Sequence, residues 1–428
     1  MISAEQLIVL LFLGLFFLEL LTEFCLNEAN LRYVRKRLQD QNIPKFLRAK
    51  LTPETYQKSV RYTLAKGSFE RWSQIYGRAV TIFVLFGGVL AYLNHFSQNL
   101  GNGLPTWTQA TGIIFCLSAS LVVSVLSLPP DLYHTFVLEE RFGFNKTSPA
   151  LYLTDKLKGL ALGFVIGVPF LFVVLSVMRS AGFYWWLYAF LFILAFQLLL
   201  VIFYPTLIAP LFNKFTPLEE GELRQRIMLL ATQLGFQTSG IYTMDGSRRS
   251  AHSNAYFTGL GRSKRIVLFD TLVKEATIDQ AVAVLAHEIG HYKLKHVRKR
   301  LILQSAFLFL GLYLISLLLD YEPFFHAFGL EQPSHYGALV LFAFVSGPFT
   351  FYLSPLLNHV SRKHEYEADR YAVQELRNSK PMEEALIKLT VTNLSNLTPH
   401  PWYSAYHYSH PAVAERIQAI QGLALEQQ

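Results

Sequence analysis

Charged side chains are scarce in this chain, at 16% of its 428 residues, and cysteine is almost missing, with only Cys25 and Cys116. A soluble protein of this length carries about 25% charged residues, so the deficit argues against a soluble globular class. Two cysteines, both in apolar stretches, exclude a disulfide framework, a CxxC redox motif and a cysteine metal site. Any bound metal must then be held by His, Glu or Asp. Internal repeats and low-complexity tracts are also missing. The first apolar stretch has no basic leader and no small-residue cleavage site, its first charge being Glu5, so it reads as a retained helix and not a signal peptide.

What the chain does contain is apolar surface: 52% hydrophobic residues, including 35 Phe. Seven segments are long enough to cross a hydrocarbon layer of roughly 30 Å, which takes about 20 residues each. They fall near 5–25, 79–97, 110–129, 159–178, 184–205, 301–319 and 336–355. The net charge of +8 is concentrated beside these segments, which favours membrane flanks over nucleic acid. Arg32, Arg35, Lys36, Arg37, Lys45, Arg48 and Lys50 follow the first span, whereas the next loop, to Thr108, is uncharged. Arg141, Lys146, Lys156 and Lys158 follow the third span, and Asp320, Glu322 and Glu331 the sixth. Because basic loops stay inside, the N-terminus is expected outside and the C-terminus in the cytoplasm.

Four regions follow: 1–205 with spans one to five, a polar region at 206–300, spans six and seven at 301–355, and a polar region at 356–428. Both polar regions are assigned to the cytoplasmic side. The first should hold a helix from about Glu219 to Leu234, short strands at Ile241–Met244, Ala255–Thr258 and Arg265–Phe269, and a helix from Ile278. The expected fold is mainly α: a polytopic membrane protein with seven transmembrane helices plus a cytoplasmic domain bearing a small β-sheet. Glu19, Glu23 and Gln197 should face the bundle interior, and Tyr184, Trp185 and Trp186 form an interfacial belt. Asn145, Asn393 and Asn396 fit the glycosylation sequon but fall on the cytoplasmic side, where the match is accidental.

The strongest chemical signal is His287-Glu288-Ile289-Gly290-His291. Histidines four apart lie one helical turn from each other, so both can reach one Zn²⁺, and Glu288 can take a proton from the water it activates. Ile278, Val282, Leu285, Ile289 and Tyr292 recur at three- and four-residue steps, and Thr277 with Gln280 has the form of a capping box. A catalytic zinc takes three protein ligands. On spacing, Glu365 in Lys363-His-Glu-Tyr-Glu-Ala-Asp369 is the best third ligand, with Asp369 on the same face able to accept the outer N–H of a ligand histidine. Glu367 points the other way, and a solvated helix with Arg362 and Lys363 pairing the acids fits the spacing too. His410-Pro411 reads as a helix start, where His410 either caps locally or donates to an oxyanion. Asn254, Ala255, Tyr256 and Phe257 read as an edge strand, either structural or pairing with substrate backbone.

Together, HEIGH at 287–291, Glu365-Tyr-Glu-Ala-Asp369, Asn254-Ala-Tyr-Phe257 and Tyr408-Ser-His-Pro411 resemble the type I CAAX prenyl proteases. So do Leu128-Pro with Tyr133-His-Thr-Phe136, Glu139–Lys146, Ile208–Pro217 and Lys264–Thr271, so the resemblance covers nearly the whole chain. It implies zinc ligation by His287, His291 and Glu365, with Glu288 as base. It also implies transition-state stabilisation by Asn254 and His410, and a chamber enclosed by the seven helices. The implied substrates are C-terminal CAAX sequences on a prenylated cysteine, cut to release the last three residues; the alternative is a general membrane quality-control protease acting on unprenylated chains. Expected partners are a peptide or protein substrate and membrane lipid, with no nucleic acid and no requirement for an oligomer. The end of the chain, Leu-Glu-Gln-Gln without an ER-retrieval signal, points to a bacterial inner membrane over the endoplasmic reticulum.

Overall fold

A computed structural model describes residues 2–39, 51–105, 108–259 and 264–426. Lys45, Arg48 and Lys50, residues 260–263 and the final Gln427 and Gln428 lie outside the described residues. Long helices dominate. Ala4–Gln39 (α1) is the first, and Pro53–Phe86 (α2) and Val89–Gly101 (α3) follow it. Next come Ala110–Leu126 (α4), Leu128–Tyr133 (α5), Pro149–Ser180 (α6) and Trp185–Phe203 (α7).

Among the described residues, four helices are long and apolar enough to cross a membrane unbroken, within 4–39, 149–180, 182–212 and 296–318. Three further segments are bent pairs, broken by 53° after Phe86, 41° after Leu126 and 53° after Val345, which gives up to seven spans. Each of the seven expected segments falls on one of these helices or bent pairs, and the second, third and seventh are not straight rods. At the first break Gly88 adopts φ 76°, a conformation glycine enters without Cβ strain. Glu19 and Glu23 are buried as expected: Glu19 pairs with Arg78, and Glu23 accepts from Gln74. The aromatic belt needs correction, since Tyr184 is exposed but Trp185 is buried in the apolar core with Phe12, Phe115 and Leu175.

Beyond the fifth apolar segment the chain forms strand Phe215–Pro217 (β1), helix Glu222–Gln233 (α8) and strands Gly240–Met244 (β2), Ala255–Thr258 (β3) and Arg265–Phe269 (β4). The sheet order is β1-β2-β4-β3, with β2 and β4 parallel and the other pairs antiparallel. β3 is thus an edge strand, with Ala255 opposite Leu268. β1 escaped the sequence reading because it is three residues long and ends in Pro217.

Helix Ile278–Lys293 (α9) starts at the expected box, Thr277 accepting from the Gln280 amide and Gln280 reaching back to the Thr277 amide. It ends at Lys295, which takes φ 60° and redirects the chain into His296–Leu318 (α10). His335–Val345 (α11) and the 30-residue Gly347–Leu376 (α12) form the last bent span, and Lys380–Thr392 (α13), Pro401–His407 (α14) and Val413–Glu426 (α15) complete the fold. The second core gathers Ala283, Leu285 and Ile289 of α9, Ile266 and Leu268 of β4, Ala372 of α12 and Ile417 of α15. α9 lies against α12 through small residues. A Cβ on Gly290 would sit 3.1 Å from Tyr371 Cδ1 and 3.3 Å from the Ala368 backbone, so any side chain there requires α12 or Tyr371 to give by a few tenths of an ångström.

Candidate metal centre and its surroundings

The close α9–α12 contact determines what stands opposite the two histidines. His287 and His291, one turn apart, present their Nε2 atoms 3.1 Å from each other. From α12, Glu365 Oε1 lies 3.2 Å from His291 Nε2, and Oε2 lies 3.5 Å from His287 Nε2. These three side chains form a group able to hold a metal ion. Glu365 is buried, and its Oε2 accepts no hydrogen bond from any described residue. A buried carboxylate oxygen without a donor is costly unless a cation takes its place. The donor set of two neutral imidazoles and one carboxylate leaves one tetrahedral position open, so these residues fit a catalytic zinc. Gly290→Val is expected to wedge α12 away and cost about 1–3 kcal/mol, read as a lower Tm together with weakened metal retention.

Asp369, one turn beyond Glu365, lies with Oδ1 2.8 Å from His287 Nδ1. Arg416 of α15 is buried and donates to both Asp369 oxygens, from Nη2 at 2.6 Å and Nε at 2.8 Å, while its Nη1 is 3.4 Å from Glu365 Oε2. Burial alone would lower the His287 pKa, but the carboxylates of Asp369 and Glu365 outweigh it and push it up to about 9, so a metal taking Nε2 would do so in exchange for a proton. Burial opposes ionisation of Glu365 and Asp369, yet the two histidines for Glu365 and Arg416 for Asp369 hold both below their usual values. Glu288 is raised by burial, which suits a carboxylate that must both accept and return a proton.

A cavity of about 970 Å³ opens on this cluster, and Glu288, His287, His291, Glu365, Asn254, Phe257 and His410 all line it. A second cavity of about 640 Å³ shares His410 and Arg416 with it. Of the expected substrate-strand residues, Asn254 and Phe257 face the cavity. Ala255 is buried in the core, and Tyr256 donates toward Met244 Sδ at 3.8 Å, so neither side chain is placed for substrate. His410 Nε2 stands 3.4 Å from Glu365 Oε1, and its side chain is 66% exposed to the cavity. It is not a helix cap: α15 begins at Val413, two residues beyond Pro411. The segment carrying His410 is instead held by α12, where Arg362 donates to the Ala405 and Tyr408 carbonyls, both at 2.9 Å. Arg362 is therefore not spent on the neighbouring acids.

Three residues that sequence reasoning missed support the cluster. Arg416 sits among Val413, Ile417 and Ile420 on the buried stripe of α15, and a lone charge on an apolar face was the available signal. Asn393 clamps the backbone before Asn254, accepting from Ser253 N–H at 2.9 Å and donating to Ser253 O at 3.2 Å. His296, at the first position of α10, places Nδ1 2.9 Å from His291 Nδ1 and Nε2 2.9 Å from Glu367 Oε2.

Comparison with known proteins finds relatives over nearly the whole chain. Residues 33–214 match the family model "CAAX prenyl protease N-terminal, five membrane helices", and residues 217–424 match "Peptidase family M48". CAAX prenyl protease 1 of Saccharomyces cerevisiae is 38% identical over 409 residues, covering 90% of each chain. The CAAX prenyl protease 1 homolog of Homo sapiens is 35% identical over 423 residues, covering 89% of this chain and 88% of its own. The crystal structure of S. mikatae Ste24p superposes with a TM-score of 0.88 at 35% identity, over 98% of this chain and 99% of that one. A membrane-helix region and a peptidase region in this order, with the matching fold, identify the chain as an integral, multi-pass membrane metalloprotease that belongs to the CAAX prenyl protease family within peptidase family M48.

Proposed function

We propose that the metal is a single Zn²⁺ held by His287, His291 and Glu365, and that the enzyme hydrolyses a peptide bond near the C-terminus of a prenylated CAAX substrate, releasing the last three residues. The observation that carries this reading is the convergence of two Nε2 atoms with a buried Glu365 carboxylate oxygen lacking a donor, beside a cavity that Glu288 also lines. When bound, zinc supplies Lewis acidity, making an attacking water more acidic and polarising the scissile carbonyl.

The chain's own residues do the rest. Glu288 accepts the water's proton and delivers it to the departing amine nitrogen. His410 and Asn254, facing the same cavity, donate toward the oxygen that gains negative charge. Asp369 accepts from His287 Nδ1–H, which leaves Nε2 as the free lone pair, and Arg416 keeps that aspartate ionised. The outer edge of β3 is open to pair with an extended substrate backbone, β4 occupying its other edge. Ala255 and Tyr256 contribute through that backbone, whereas Phe257 adds an apolar wall.

We further read the chain as four parts, 1–205, 206–300, 301–355 and 356–428, with the N-terminus outside and the peptidase site on the cytoplasmic side; the basic loops after spans one and three support this orientation. General quality-control proteolysis is the less favoured reading, because the relatives described above are named for CAAX substrates. Purified protein should remove the last three residues of a farnesylated CAAX peptide, lose this activity with a chelator and regain it with added zinc. Equal cleavage of the farnesylated and unprenylated peptides would remove the substrate assignment and leave the peptidase chemistry in place.

A further inference from the structure

We infer that His296 and Glu367 are positioning residues that fix the ring of His291, an inference that rests on the ligand assignment proposed above. The three residues form a continuous hydrogen-bonded line. His291 turns Nε2 to the Glu365 carboxylate and Nδ1 to His296 Nδ1, 2.9 Å away; His296 then turns Nε2 to Glu367 Oε2, also 2.9 Å away.

Donors and acceptors along this line have one consistent order. Glu367 is an acceptor, so His296 carries its proton on Nε2 and offers a lone pair at Nδ1. His291 must then carry its proton on Nδ1, which leaves Nε2 bare on the side facing His287 and Glu365. The carboxylate that orients His287 is direct, through Asp369; for His291 the same service is relayed through an intervening imidazole. Both orienting carboxylates come from α12, one residue either side of Ala368, on opposite faces of the helix.

His296, His364 and Glu367 could also be read as a second metal site. The ring geometry opposes that reading. His296 and His364 are stacked, with centroids 4.1 Å apart and planes at 13°, so their lone pairs lie in two separate, nearly parallel planes and an ion in the plane of one ring is off the plane of the other. His296 Nδ1 is already engaged by His291, and His296 is buried. The stack holds the relay ring in place.

The test is zinc affinity of the full-length protein in detergent, by competition with a chromophoric chelator, together with the visible spectrum of the cobalt-substituted form. Glu367→Ala and His296→Phe are expected to weaken zinc roughly 10–100-fold and to shift the cobalt bands, with Glu367→Gln partly restoring both because its amide oxygen still accepts from His296. The Tm of the metal-free Glu367→Ala protein should stay at the wild-type value. Glu367 is at the accessible end of the line, so this variant decides the matter even where His296→Phe fails to fold. Unchanged affinity and spectrum in Glu367→Ala, while His287→Ala fails to bind zinc, would overturn the relay and leave the ligand assignment standing. A second zinc equivalent that disappears in His364→Ala would overturn it in favour of a metal site. Normal zinc binding by His287→Ala would remove the ligand assignment itself, and the relay with it.

Discussion

Glu288→Gln is expected to bind zinc as the unaltered protein does and to lose roughly 10²–10⁴ in kcat, the usual contribution of a positioned acid–base group. The glutamate is not among the three donor atoms that converge; it shares the helix turn with His287 and His291 and faces the same cavity. Glutamine keeps the shape and the neighbouring packing but cannot take a proton from the attacking water. Because that proton moves only as the transition state forms, the loss should fall on kcat with little change in KM. Metal content by elemental analysis, beside turnover of the farnesylated peptide, checks both halves. A variant with near-normal turnover would sink the assignment of Glu288 as the base.

The second large effect is on Glu365. Glu365→Ala should lose zinc and activity together, because it removes one of the three protein ligands and the only anionic one. If ligands share the roughly 10–16 kcal/mol of a tight zinc site evenly, losing one weakens binding by at least about two orders of magnitude. The electrostatics add to this. Arg416 Nη1 lies 3.4 Å from Glu365 Oε2, and without that carboxylate the guanidinium, paired then with Asp369 alone, faces the metal position with less of its charge offset. Glu365→Gln keeps the volume but not the charge and should fall between the two. Chelator competition reads all three. Retention of wild-type affinity in Glu365→Ala would require a ligand other than those that converge here.

The sequence displayed this centre unevenly, for physical reasons. His287, Glu288 and His291 were legible because ligand spacing and helix period coincide within one turn. Glu365 and Asp369 were legible as a face, one turn apart, although spacing alone could not exclude a solvated helix. The Thr277–Gln280 box and the short β-rich runs of β3 and β4 are local signals and were read correctly. Arg416 was not found, since what marks it is a partner 47 residues earlier. His296 was hidden by a break in period: Lys295 takes a left-handed backbone conformation, so no helical spacing relates His291 to His296. Asn393 looked like an accidental sequon and acts instead through its amide on Ser253. The bends after Leu126 and Val345 were not read, although Ser127-Leu-Pro-Pro130 and Ser346-Gly-Pro348 mark both with helix-breaking residues, because hydropathy alone was used to place the spans.

α12 has a mechanical consequence. The helix that carries Glu365 and Asp369 begins at Gly347 as the lower half of a bent membrane span. Eighteen residues separate Gly347 from Glu365, which is about 27 Å of rod at 1.5 Å per residue. Tilting such a rod by about 5° at its lipid-embedded end sweeps the carboxylate through roughly 2 Å, the length of a coordination bond. Helix tilt answers to bilayer thickness. α9 packs against the sheet and, at Gly290, against Ala368 of α12 just beyond Glu365, so the crossing of the two helices opposes that sweep. Gly290 is therefore a joint that keeps the carboxylate in register with the histidines while the apolar half of α12 follows its surroundings.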